Sequence, residues 1–161
     1  MQASAKRRPG IIVSACLTGA LCRYDGGHRL DQKVLRLSME DELVPLCPEQ
    51  MGGLTTPRQP SEIIGGDGDD VLDGRARVVD TEGRDVTGHF LKVANEFLRI
   101  AKRSKINKAI MKEKSPSCGV HMIYRNGILV SGKGVLTALL MREGIEVISN
   151  TKLLSNIHYC K

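Results

Sequence analysis

Short apolar runs separated by more polar segments dominate the pattern along the chain. Four of these runs, residues 11–15, 43–46, 107–111 and 145–148, are mostly apolar and only a few residues long. Runs of this kind are typical of strands that are buried within a sheet. Helical patterns separate them, and this alternation predicts a sheet that is mostly parallel. We therefore predict an α/β fold with a single three-layer, Rossmann-like sheet.

Two helices are predicted from apolar residues at helical spacing in the first two thirds of the chain. Asp31 can cap a helix that ends near Glu42. Asp85 or Thr87 can cap the clearest helix of the sequence. Its apolar face consists of Phe90, Val93, Ala94, Phe97, Leu98 and Ala101.

The last third of the chain predicts a hairpin followed by another helix. Residues 122–130 contain two short apolar runs around Asn126 and Gly127, and an Asn-Gly pair favours a tight hairpin turn. Residues 135–140 have helical spacing, and Gly144 suits the position just after the helix.

The middle of the chain predicts a long loop. Residues 50–70 are rich in Gly, Pro and Thr without a helical period, and long loops in compact domains are usually functional. Residues 71–79 predict a small hairpin insertion. With 161 residues, 41% of them apolar, the chain suits one domain, which we place at residues 10–161. Residues 1–9 are expected to form a disordered extension.

Membrane and secretory classes are not expected. No apolar run is long enough to span a membrane, and the first residues lack the apolar core of a secretory signal. We therefore expect a cytoplasmic protein. In that compartment the five cysteines of the chain indicate thiols, metal binding or catalysis rather than a disulfide framework.

The charge of the chain is basic but unevenly distributed. The net charge is +6, which can indicate nucleic acid or an anionic substrate. Most of the excess lies in residues 99–114, whereas residues 61–73 are acidic. A solvated helix end and an acidic turn explain both segments. A calcium loop over residues 66–74 is a weaker hypothesis, because the Glu that closes an EF-hand loop is missing.

Three cysteines follow predicted strands. Cys16, Cys47 and Cys118 each come directly after one or close to its end, and the carboxyl ends of parallel strands share one edge of a sheet. Their convergence can be coincidence, a zinc site or an iron–sulfur cluster with an open iron. Cys22 can be a fourth ligand, although a free thiol is the simpler interpretation. Cys160, near the end of the chain, is expected to be inert.

A series of short motifs follows one another along the sequence. The motifs are VSACL (13–17), RYDGG (23–27), CPEQMGGL (47–54), PR (57–58), EI (62–63), DVT (85–87) and KSPSCG (114–119). In this order they resemble the family known as domain of unknown function 523, and the resemblance spans roughly residues 10–148, almost the whole chain.

That family includes thiouracil desulfidases, so the resemblance implies a catalytic domain with an oxygen-sensitive [4Fe-4S] cluster. The enzyme would convert a small thiolated nucleobase, similar to 2-thiouracil, to the oxo base and sulfide without net redox change. Cys16, Cys47 and Cys118 match the cluster ligands of the family. Glu49 and Ser115 match its acid and hydroxyl residues.

The residue types near these cysteines suit such a reaction. Glu49, two residues after Cys47, can act as the general base that activates water. Ser115 and Ser117 can hold the water or the exocyclic oxygen of the substrate. Tyr24 and Asp25 can reach the edge of the base.

Two interpretations remain open at this point. Arg58 can contact an anionic or thiolate substrate, or it can neutralise Glu62. The alternative to the enzyme is a nucleotide- or RNA-binding α/β module with a structural zinc or no metal. Nucleic acid is possible but not favoured, because aromatic residues make up only 3% of the chain. The sequence alone does not determine the oligomeric state.

Overall fold

A computed structural model describes residues 8–153 of the chain. Most of the predicted extension and Cys160 therefore lie outside the described residues. The strands, numbered along the chain, are β1 (Ile11–Ser14), β2 (Leu43–Leu46), β3 (Ser61–Ile64), β4 (Arg77–Asp80), β5 (Lys108–Met111), β6 (Met122–Arg125), β7 (Ile128–Ser131) and β8 (Glu146–Ser149). The helices are α1 (Gln32–Leu37), α2 (Pro48–Met51), α3 (Gly68–Leu72), α4 (Thr87–Arg103) and α5 (Val135–Arg142).

The central sheet has four parallel strands in the order β2-β1-β5-β8. Adjacent residues of β1 face opposite sides of this sheet. Ile12 packs in the cluster that includes Phe90 and Phe97 of α4, whereas Val13 packs with Val34 of α1 on the other side. Helices thus flank the sheet, and the predicted α/β fold is confirmed. Two antiparallel hairpins, β3-β4 and β6-β7, complete the architecture.

Several predicted elements are confirmed by the structure. The four strands of the central sheet, α4, α5 and the hairpin at Asn126 and Gly127 all form where the pattern indicated. The Asp31 side chain accepts a hydrogen bond from the main-chain N–H of Lys33 and so caps α1. Asp85 accepts one from the N–H of Thr87 at the start of α4. The predicted cap is thus confirmed for α1, whereas the residue at the cap position of α4 is Val86, which makes no side-chain cap.

Three predictions about boundaries were wrong. Helix α1 ends at Leu37 rather than near Glu42, and a turn follows it. Residues 50–70 are not one loop, because they contain the end of α2, all of β3 and most of α3. Residues 71–79 do not form their own hairpin, because β4 pairs with β3. The missed signal is the capping box at Asp67, whose side chain and that of Asp70 bond reciprocally to main-chain N–H groups.

The topology positions one edge of the sheet for a site. Strands β1, β2 and β5 are neighbours and run in parallel, so their carboxyl ends lie together. The strand order also reverses there: β2, which follows β1 in sequence, lies on one side of β1, and the later strand β5 lies on the other side. Ligands in open α/β sheets bind at such a position. Within the described residues, no helix is both long and apolar enough to cross a membrane.

Candidate active site

A cavity of about 450 Å³ opens at the carboxyl ends of β1, β2 and β5. Its volume is in the range of small-molecule pockets, roughly 300–1,000 Å³. The side chains around it come mainly from the turn after β1, from α2, and from the segments that follow α2 and β5. Among the residues that line it are Cys16, Cys22, Tyr24, Cys47, Glu49, Arg58, Lys112, Ser115 and Cys118.

The three predicted ligand cysteines all reach this cavity. Cys16 lies in a single 3₁₀ turn after β1, and Cys47 is the residue before α2. Cys118 lies in the turn after β5, and Cys22 is a fourth thiol of the same cavity. All four are free thiols. Burial raises the pKa of Cys16 and Cys118, and it raises that of Cys22 to about 12 with the help of the Cys47 thiol.

This donor set suits an iron–sulfur cluster. Soft thiol ligands from three separate strand ends meet at one cavity, and thiolates are the usual ligands of such clusters. Within residues 8–153, no three His, Cys, Asp or Glu side chains are grouped closely enough to hold one metal ion. A [4Fe-4S] cluster is larger than one ion and takes its thiolates from points around a cube.

Glu49 is held by a buried arginine. Pro48 and Glu49 form the first turn of α2, so the carboxylate stands close to Cys47. Arg58 Nε donates to Glu49 Oε2 at 2.6 Å, and a terminal guanidinium nitrogen lies 2.6 Å from the same oxygen. Arg58 thus pairs with Glu49 and not with Glu62, whose carboxylate instead accepts from the N–H of Gly127.

The two predicted serines are placed differently. Ser115 lines the cavity, and its Oγ accepts hydrogen bonds from the N–H groups of Ser117 and Cys118 at 3.2 and 3.1 Å. Ser117 is 1% exposed, is not part of the cavity lining, and its Oγ has no hydrogen-bond partner among the described residues. The structure therefore brings Ser115 to the site and leaves Ser117 behind it.

Of the two predicted substrate-binding residues after Cys22, one lines the cavity and the other stabilises a turn. Tyr24 lines the cavity and is partly exposed. Asp25 is not in the lining; its carboxylate accepts from the N–H of Gly27 at 2.9 Å and from Arg23 at 3.2 Å. The hydrogen bond from Gly27 is the main cause that lowers the pKa of Asp25. Asp25 thus stabilises the turn that places Tyr24.

A buried carboxylate that sequence reasoning missed holds the Cys118 segment, which we define as residues 113–121. Glu113 is 7% exposed. Burial alone would raise its pKa, but hydrogen bonds from Ser149, the main chain and His121 lower it to about 2. Its Oε1 accepts from three main-chain N–H groups, those of Val120 (2.8 Å), His121 (2.8 Å) and Met122 (3.0 Å). Glu113 is the single acidic residue among residues 99–114, and this position within a basic stretch was the signal that the sequence offered.

The first turn of α5 closes the back of the Cys118 segment. The carbonyl oxygens of Pro116 and Ser117 accept from N–H groups at the start of α5, which satisfies donors that a helix start leaves free. Gly134 makes this approach possible. A Cβ at Gly134 would lie 2.3 Å from the carbonyl carbon of Ser117 and 2.7 Å from the nitrogen of Cys118.

Two further residues at the cavity were not singled out from the sequence. Ser14 at the end of β1 accepts from the N–H of Lys112 at 2.9 Å, and its hydroxyl donates to the sulfur of Met111 at 3.8 Å. Lys112 lines the cavity, where burial lowers its pKa. Both lay in segments that the sequence analysis had interpreted as a strand end and a solvated basic stretch.

Several residues of the two charged stretches form ion pairs. Lys102 of the basic stretch bonds to Glu143 at 2.7 Å, and Lys108 lies 3.7 Å from Glu146. In the acidic segment, Asp67 caps α3, and Asp69 and Asp73 bind Arg142 at 2.7 and 2.8 Å. These contacts pair most of the acidic segment with basic residues and pair part of the basic stretch with surface carboxylates.

A parallel α/β fold with a thiol-lined cavity at its carboxyl edge defines an α/β enzyme with a candidate cysteine-ligated centre. The family model for 2-thiouracil desulfurase matches residues 11–152, and the chain belongs to that family of enzymes. The predicted membership is thereby confirmed.

Two similar proteins extend this comparison. The uncharacterized protein YbbK of Bacillus subtilis (strain 168) is 45% identical over 146 residues, which cover 89% of this chain and 97% of YbbK. A solved structure of the [4Fe-4S]-dependent thiouracil desulfidase TudS, which carries the designation DUF523, is 39% identical. The match covers 91% of this chain and 93% of TudS, with a TM-score of 0.78.

Proposed function

We propose that this chain removes sulfur from a small thiolated nucleobase of the 2-thiouracil kind by a hydrolytic, non-redox reaction. Water would supply the oxygen of the oxo base, and the sulfur would leave as sulfide. The observation that carries the proposal is the convergence of Cys16, Cys47 and Cys118 on one cavity together with Glu49. The free thiols and an oxygen-sensitive cluster are consistent with the reducing cytoplasm, where we place the protein.

Cys16, Cys47 and Cys118 would hold a [4Fe-4S] cluster in this proposal. A cluster bound by three protein thiolates supplies one iron without a protein ligand, which is a Lewis acid for the soft sulfur of a thiocarbonyl group. The buried, protonated thiols must lose their protons on ligation, so assembly releases protons.

Glu49 is the proposed general base. Its Oε2 is engaged by Arg58, and its Oε1 accepts no hydrogen bond from the described residues. Oε1 can therefore take a proton from the water that attacks the ring carbon. The hydroxyl of Ser115 lies at the same cavity and is proposed to orient that water or the exocyclic oxygen of the substrate. Tyr24 would contact the base, whereas Asp25 and Ser117 lie outside the lining and would act only through the residues they support.

Cysteine variants test the ligand assignment. Anaerobically purified Cys16→Ala, Cys47→Ala and Cys118→Ala proteins should each lose the iron and sulfide of the cluster. Cys22→Ser is the matched control, because Cys22 lines the same cavity but is not a proposed ligand, and it should keep both. A cluster that survives the loss of Cys47 contradicts the assignment.

The base assignment needs a separate variant. Glu49→Ala should keep the iron of the wild-type protein and lose conversion of 2-thiouracil to uracil by about 100-fold or more, as is usual for a general base. Turnover near the wild-type rate would mean that Glu49 is not the base. No observation on the described residues favours the alternative of a nucleic-acid-binding module.

A further inference from the structure

Arg58 occupies an unusual position for an arginine. It lies in the segment between α2 and β3, which we call the Arg58 loop (residues 53–60), and its side chain is only 8% exposed. Arginine is rarely buried to this extent unless its guanidinium is paired. Every nitrogen of this guanidinium has a partner. One partner is Glu49, and the others are Cys22 O (3.0 Å), Thr56 Oγ1 (3.1 Å) and Thr55 O (3.3 Å).

These contacts connect three segments of the cavity wall. The main-chain N–H of Arg58 donates to the carbonyl of Tyr24 at 2.8 Å, while its side chain reaches Glu49 on α2. The carbonyl of Cys22 that accepts from Arg58 also lies 3.6 Å from the sulfur of Cys47. One guanidinium therefore fixes the position of Glu49 relative to the segment that contains Cys22, next to the proposed cluster ligand Cys47.

The pairing constrains one oxygen of Glu49 in particular. Two guanidinium nitrogens approach Oε2, so rotation of the carboxylate would break both contacts. A glutamate side chain otherwise has several rotatable bonds, and misplacement of a reacting group by about 1 Å can reduce the rate by about 100-fold. Burial of an ion pair contributes little to stability by itself, because desolvation opposes the attraction.

We propose that Arg58 is a positioning residue for Glu49, which it holds with Oε1 available to the substrate water. This inference rests on the proposed function, in which Glu49 is the base. Arg58 acts through the geometry of the Glu49 carboxylate and is not required to touch the substrate. Lysine cannot replace it fully, because an ammonium group lacks the planar fork that reaches Glu49 and Cys22 together.

The kinetic test uses cluster-loaded protein with 2-thiouracil. Arg58→Gln should lower kcat by about 100-fold with little change in KM and with the iron content of the wild type. Arg58→Lys should recover only part of the loss. Arg142→Gln is the matched control, because Arg142 is likewise an arginine in ion pairs, here with Asp69 and Asp73, but it does not line the cavity. It should leave kcat unchanged.

A double variant distinguishes positioning from other roles. Arg58→Gln should have almost no further effect on the residual turnover of Glu49→Gln protein, because the group that it positions is already disabled. A rise in KM with unchanged kcat would overturn the proposal in favour of substrate binding. An equal loss in both backgrounds, or loss of iron, would overturn it in favour of a purely structural role.

A readout that does not depend on turnover keeps the two proposals separate. Crystal structures of the wild type and Arg58→Gln should show the Glu49 carboxylate displaced or disordered in the variant, with Cys47 in place. If the wild type does not desulfurate 2-thiouracil, the proposed function fails, yet this displacement still tests the positioning of Glu49. A carboxylate that keeps its position without Arg58 would overturn the inference.

Discussion

Two walls of the same cavity are held by opposite charges. On one side, Arg58 binds Glu49 and the carbonyl of Cys22. On the other, Glu113 binds the consecutive main-chain N–H groups of residues 120–122, at the end of the Cys118 segment. Both charged groups are buried, and both fix a segment that carries a proposed cluster ligand.

The difference lies in what each charge contacts. Arg58 contacts a side chain proposed to react, whereas Glu113 contacts the backbone, His121 and Ser149 and does not line the cavity. The Cys118 segment is further fixed by the close approach of Gly134. Changes to the Arg58 side should therefore lower turnover while the fold persists, and changes to the Cys118 side should lower stability and cluster retention together.

The largest effect is expected from Glu113→Ala. The N–H groups of residues 120–122 would lose a charged acceptor. Each unsatisfied donor costs about 1–3 kcal/mol, and the two part-buried donors can be hydrated, so we expect a loss of about 4 kcal/mol in unfolding free energy. Urea unfolding of the purified protein measures this value. Glu143→Ala, which removes an exposed partner of Lys102, is the control and should cost less than about 1 kcal/mol. If the two variants lost equal unfolding free energy, the assigned structural role of Glu113 would be contradicted.

A smaller loss is expected from Gly134→Ala. The added Cβ would meet backbone atoms of Ser117 at 2.3 and 2.4 Å, so α5 or the Cys118 segment must move. Overpacking of this kind costs about 1–3 kcal/mol, and the shift should reduce iron retention. Gly88→Ala is the matched control, since nothing lies within 4 Å of a Cβ there, and it should be neutral or stabilising. Iron retained in full by Gly134→Ala protein would show that the Cys118 segment is adaptable.

Lowering the pH should reduce the contribution of Glu113 to the unfolding free energy. The pKa of Glu113 is lowered from an ordinary 4.5 to about 2, so its stabilising contribution is complete above the unfolded-state value and is lost as pH falls towards 2. Linkage predicts that about 2 kcal/mol disappears between pH 7 and pH 3. Unfolding free energies of the wild type and Glu113→Gln should converge over this range. Parallel pH profiles of the two proteins would contradict the assigned role.

The smallest effects separate the two serines. Ser115→Ala should cost about 1 kcal/mol, because its Oγ accepts two N–H groups as a capping residue does. Ser117→Ala should change stability by less than about 0.5 kcal/mol, because the hydroxyl that it removes has no partner in the described structure. If Ser117→Ala instead abolishes turnover with full stability, the substrate-binding role predicted from the sequence gains support.

The sheet and the cysteine positions could be predicted because both follow from local pattern. Short apolar runs mark the strands, and the rule that parallel strands end at one edge brings Cys16, Cys47 and Cys118 to one cavity. The β3-β4 hairpin could not be predicted from local pattern. Its strands alternate weakly, and α3 separates them within a segment whose composition indicated a loop.

The supporting residues of the site were harder to predict for a physical reason. Arg58 was assigned to Glu62 or to a substrate, because the proximity of Glu49 arises only when α2 and the Arg58 loop fold together. Glu113 resembled a solvated charge until its carboxylate was placed against backbone N–H groups. Residue type indicates which side chains can react, but their partners depend on tertiary packing.

The central claim is that this cavity hydrolyses a thiocarbonyl group. The most direct measurement incubates anaerobically purified, iron-loaded protein with 2-thiouracil in ¹⁸O-labelled water and quantifies uracil by mass spectrometry together with sulfide. The account predicts uracil that carries the label and sulfide in equal amounts, without an added reductant or oxidant. Iron-loaded protein that yields no uracil, or uracil whose new oxygen does not come from water, would contradict it.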